Sequence, residues 1–75
     1  MKTKYKFIQF IFVDKTEKTS IWNCYNLKSG DRIGRVKWYC TWRQYCFLPE
    51  NETVYSRGCL CDINNFIEQL MDDRK

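Results

Sequence analysis

The spacing of apolar residues changes once along this chain, and that change constrains the fold more than any other feature. From Tyr5 to Leu48, β-branched and aromatic residues come in short runs separated by polar turns. From Leu60 to Met71 the apolar residues Leu60, Ile63, Phe66, Ile67, Leu70 and Met71 recur at helical spacing. Short alternating runs read as strands, and a three-to-four residue period reads as an amphipathic helix. Strands followed by one helix, rather than alternating with helices, give the α+β class. The expected architecture is an antiparallel β-meander of four or five strands packed against one C-terminal α-helix, all in a single domain over residues 1–75.

Turn chemistry divides the first part. Tyr5–Val13 is a first strand, and the polar stretch Asp14–Lys18 a loop. Thr19–Tyr25 is a second strand, and Asn26–Asp31 a hairpin turn in which Gly30 supplies positive φ at little cost. Arg32–Tyr39 is a third strand, and a reversal near Cys40–Trp42 leads into a fourth, Arg43–Leu48. Pro49 lacks an N–H and ends it. Thr53–Tyr55 is a candidate fifth, short edge strand. The helix is expected over about 59–72, with Ser56 as its N-cap. A helix of that length is not stable alone in water, so it must pack on the sheet. Phe66, Ile67 and Leu70 are expected to bury against Trp38 and Phe47.

A chain of 75 residues has little core to spare. Three Trp, five Tyr and five Phe offset that, because each ring buries a large apolar area. The formal charge of +4 is uneven: residues 1–57 hold eleven Lys/Arg and five Asp/Glu, and residues 58–75 hold two and four. A basic sheet beside an acidic helix suits an acidic protein, a nucleic acid, or simply solvent. No segment is long enough to span a membrane, and Phe7–Val13 reads as a strand rather than as the core of a secretory signal. Five cysteines, an odd number, fit a cytoplasmic protein with reduced thiols used mainly for packing.

Catalysis has little support. The chain has no His, the commonest general base. Its three glycines are scattered and make no phosphate-binding loop. Cys40 and Cys46, or Cys59 and Cys61, lack the two-residue spacing of structural zinc knuckles. No cofactor or metal is expected, and a binding protein is favoured over an enzyme.

The densest segment for binding is Lys37-Trp38-Tyr39-Cys40-Thr41-Trp42-Arg43-Gln44-Tyr45. If Gly34, Val36 and Trp38 face the helix, then Arg35, Lys37 and Tyr39 face away, because strand side chains alternate. Trp42 and Arg43 sit at the reversal. Arg35, Lys37, Tyr39, Trp42 and Arg43 are therefore the candidate binding residues, against the alternative that Trp42 folds back to plug the core. Aromatic rings beside cations anchor protein interfaces and also stack on unpaired bases.

The same run resembles small uncharacterised bacteriophage and prophage proteins. The matching residues are Gly30-Asp31, Gly34, Lys37-Trp38-Tyr39, Trp42-Arg43-Gln44-Tyr45, Phe47 and Pro49, then Cys59-Leu60, Asp62-Ile63 and Phe66-Ile67. The resemblance covers about residues 20–72. It implies a phage-like origin and brings no activity or site residues. Three functions follow: an accessory protein binding a host or defence protein; a nucleic-acid-binding domain using the basic aromatic face; or a structural, self-associating protein. The expected state is a monomer or a small homo-oligomer.

Overall fold

A computed structural model describes residues 1–74. Four strands, β1 (Ile8–Lys15), β2 (Ser20–Asn26), β3 (Arg32–Tyr39) and β4 (Gln44–Pro49), form one antiparallel sheet in chain order. One helix, α1 (Arg57–Asp73), lies across a single face of it, against β1 and β4. This is the α+β meander expected from the change of period.

The register assigns most strand residues to a face, with irregularities between Phe12 and Asp14 and between Cys24 and Tyr25. Phe12, Trp22, Val36 and Phe47 form one line across the four strands on the helix side. Ile11, Asn23, Arg35 and Leu48 form the neighbouring line on the side without a helix. Ile8, Phe10, Cys24, Ile33, Val36, Tyr45, Cys59, Ile63, Phe66 and Leu70 make the core. At its centre the Phe66 ring lies parallel to Phe10, with centroids 4.0 Å apart, and Trp22 meets Phe66 edge-on at 5.0 Å.

The helix begins where Ser56 Oγ accepts from the Cys59 N–H at 3.2 Å. Its buried face is Cys59, Asp62, Ile63, Phe66 and Leu70. Two sequence expectations change here, that Leu60 belongs to the buried stripe and that Asp62 falls on the opposite, polar side. Leu60 is 52% exposed, and Asp62 is buried. Asp62 tolerates burial because its carboxylate accepts the Phe7 N–H at 2.8 Å. Phe66 also finds its ring partners in Phe10, Trp22 and Tyr5, not in Trp38 and Phe47. Trp38 instead packs edge-on to Tyr45, and Phe47 to Tyr55. Ile67, like Trp38 and Phe47, is only partly buried at the margin of the core.

β2, β4 and α1 shift by one or two residues at their ends, β4 taking in Pro49, which pairs with Gly34 as its last residue; the first strand and the expected fifth change more, for identifiable reasons. The first strand starts at Ile8 rather than Tyr5, because the N-terminal segment folds back: Tyr5 N–H donates to Ile8 O and Phe10 N–H to Thr3 O. That segment is tied to the helix through Gln69, which accepts from Lys2 N–H at 2.9 Å and donates to the Tyr5 hydroxyl at 2.6 Å. The same strand runs on to Lys15, since Lys15 pairs with Ser20 and Thr16 N–H donates to Thr19 O to close a tight hairpin. Thr53–Tyr55 is not a strand. Thr53 Oγ1 donates to Glu50 O, Tyr55 OH donates to Ile33 O at 2.7 Å, and Val54 stands 92% exposed.

The five cysteines are unpaired, with Cys24 and Cys59 buried and Cys40 and Cys61 exposed. Burial pushes the Cys24 thiol up to about 12. Its ionisation in the unfolded chain then opposes folding. Stability is full below the ordinary thiol range near pH 8.5–9 and falls as pH rises toward 12, by about 1.4 kcal/mol per pH unit. Tyr5, also raised chiefly by burial and partly offset by the bond from Gln69, adds the same sign at higher pH. Denaturant unfolding at stepped alkaline pH should show this slope, and Cys24→Ala should flatten it.

Candidate functional site

The hairpin joining β3 to β4 holds the most exposed aromatic pair of the structure. Trp42 N–H donates to Tyr39 O and Arg43 N–H to Cys40 O, each at 3.2 Å. Arg43 takes φ 54, a left-handed conformation that costs an L residue about 1–2 kcal/mol. This compact turn leaves Trp42 65% and Tyr39 41% exposed, with their rings edge-on at 5.1 Å. Trp42 therefore does not fold back into the core.

Beside this tip lies the sheet face that no helix covers. Arg35 is exposed and Lys37 half-buried on it, and they alternate with the inward Gly34, Val36 and Trp38 as strand geometry requires. Among the described residues the one ion pair is Arg32 Nε to Glu50 Oε1 at 2.8 Å, so Arg35, Lys37 and Arg43 carry uncompensated charge. The face is not simply basic. Ile11 is 43% exposed and Leu48 39%, at opposite ends of the line through Asn23 and Arg35. Asn23 Oδ1, in the middle of that line, is buried without a hydrogen-bond partner. Arg35, Lys37 and Tyr39 thus share the open face by alternation, Trp42 joins them through its contact with Tyr39, and Arg43 lies next to Trp42 in the turn.

Sequence reasoning passed over Ile11, Leu48 and the Arg32–Glu50 pair. Ile11 and Leu48 were legible by alternation, since each is one residue from an inward ring, Phe12 and Phe47. The ion pair was not, because its partners come from different elements. Arg74 suits the helix dipole by sequence, but its contact with Trp38 was not legible. Its guanidinium lies 3.9 Å from the centroid of the Trp38 ring and donates to Lys18 O at 3.0 Å, fixing the helix end to the sheet. Trp38 is thereby committed to structure.

Among the described residues no three or more His, Cys, Asp or Glu side chains are grouped to hold a metal ion. No helix is long and apolar enough to cross a membrane. The clefts are shallow; the one on the open face measures about 260 Å³ and is lined by Arg32, Arg35, Lys37, Leu48, Pro49 and Glu50.

No protein-family model matches the chain, and no solved structure matches it. A curated relative does. The uncharacterised 9.3 kDa protein of Acholeplasma phage L2 is 31% identical over 71 residues, which cover 93% of this chain and 91% of that protein. The match takes in nearly all of both chains, including the first strand that the sequence resemblance had left out. The chain belongs to the family of this small phage protein.

Proposed function

We propose that this is a non-enzymatic phage accessory protein that binds a host or defence protein, in the manner of an inhibitor, within the host cytoplasm. The observation that carries the reading is the composition of one uncovered surface. Exposed Trp42 and Tyr39 adjoin unpaired Arg35, Lys37 and Arg43, with Ile11 and Leu48 on the same face. Trp, Tyr and Arg are the residues that anchor protein interfaces, and apolar contacts among them suit a protein surface better than a phosphate chain. Self-association through this face is disfavoured, because stacking it on a copy of itself brings like charges together.

Nucleic acid is the second reading, favoured by the same rings and cations. Its magnitude is testable. Three phosphate contacts to a single strand, one for each unpaired cation, would cost about 20-fold in affinity between about 50 and 200 mM salt. Affinity capture from host lysate, with and without nuclease and across that salt range, separates the two. The protein-binding reading expects one host protein retained after nuclease treatment, with a shallower salt dependence than that. Loss of capture on nuclease treatment, or a salt dependence that steep, overturns it.

A further inference from the structure

We propose that Arg35 and Lys37, with Leu48 alongside, form a carboxylate-binding groove that docks an extended acidic segment of the protein partner. The proposal rests on the reading of this face as a protein-binding surface and names the chemistry of what it binds.

Three observations carry it. The first is charge. Arg32 in the same groove already holds a carboxylate, Glu50, at 2.8 Å. Arg35 and Lys37 continue that row of cations along β3 with no acidic partner among the described residues. The second is spacing. Arg35 and Lys37 are two residues apart on one strand face, about 7 Å along its axis. Alternate side chains of any extended peptide repeat at the same interval, so acidic residues at alternate positions of a segment running along β3 meet both cations in register. The third is the lining. The remaining walls are Leu48 and Pro49, and no aromatic ring enters the groove. An apolar side chain on the bound segment has a contact there, whereas a nucleobase has nothing to stack on. The rings, Tyr39 and Trp42, stand beyond the groove at the hairpin tip.

Beside this groove, edge addition to β4 is disfavoured. Pro49 has no N–H to offer on β4, and Tyr45 N–H is already directed to Met71 Sδ at 3.4 Å. The segment therefore lies over the face and is held by side chains. Guanidinium–carboxylate bonds are charge-assisted and directional, so Arg35 contributes more than Lys37.

The test uses the full chain and two probes of matched length, a decaglutamate peptide and a deoxythymidine decamer, titrated at about 150 mM salt and followed by amide NMR. The expected result is saturable movement of the Arg35, Lys37 and Leu48 amides with the peptide and none with the oligonucleotide. In the variant Arg35→Gln/Lys37→Gln the peptide should bind at least about tenfold more weakly, and the variant's own spectrum reports whether it is folded. An equal or stronger response to the oligonucleotide, saturation centred elsewhere, no response to either probe, or unchanged affinity in the variant overturns the groove. If the groove fails while capture of a host protein still depends on Tyr39 and Arg43, only the carboxylate assignment falls. If capture is also independent of them, the protein-binding reading falls with it.

Discussion

Replacing Phe66 by Ala should destabilise the protein by about 3–5 kcal/mol, the range for deleting a buried ring. Phe66 is fully buried, parallel to Phe10 and edge-on to Trp22 and Tyr5. It therefore joins the helix to β1, to β2 and to the folded-back N-terminal segment at once. A domain of this size has about 4–11 kcal/mol of stability in all, from the usual per-residue range. The variant should lose a large share of that, with a fall in Tm of the order of 20 °C. Phe66→Leu keeps apolar volume and gives up the ring contacts, each of which contributes about 0.5–1.5 kcal/mol. Its loss should be clearly smaller. If both variants unfold alike in denaturant, shape rather than apolar volume holds the centre. If neither moves, the helix does not pack there.

Gly34→Ala should be the next most damaging, although it adds a single methyl group. A Cβ at Gly34 would stand 2.6 Å from Leu48 O and 2.6 Å from the tip of the Phe47 ring. The first contact is backbone, so the sheet itself must shift. The ring cannot simply swing away, because Phe47 is set edge-on to Tyr55 at 5.4 Å, and Tyr55 is bonded to Ile33 O. Overpacking of this kind costs about 1–3 kcal/mol. The loss should appear with early exchange of the β3–β4 amides while the Phe66 region stays protected. Unchanged stability would mean that Phe47 has room the structure does not show.

The period of the apolar residues was enough to give the class, the strand order and the face assignment of β3, because alternation and helical spacing are local properties. What it missed depends on contacts between distant residues. Tyr5 has the composition of a strand residue, yet Gln69, 64 positions away, draws it to the helix. Asp62 reads as solvent-facing until Phe7 brings an N–H to it. Leu60 has the right spacing for the apolar stripe, but the buried face is centred on Cys59, Ile63, Phe66 and Leu70 and leaves Leu60 at its margin. The candidate site was legible to the extent that it lies on β3 and its turn. Its apolar component was legible by alternation but overlooked, because Ile11 and Leu48 reach it from the two outer strands and not from the aromatic run itself.

On the proposed reading the hairpin tip and the open face bind a partner and do not hold the fold together. Capture of the host partner by the double variant Tyr39→Ala/Arg43→Gly tests this most directly. Both residues are exposed, and glycine adopts the positive φ of Arg43 without the steric penalty of a side chain, so the fold should persist with its amide spectrum intact. The folded variant should retain the partner at least about tenfold more weakly, as expected for losing an aromatic and an arginine anchor. A folded variant that holds the partner as tightly as the parent, or a variant that unfolds, would contradict it.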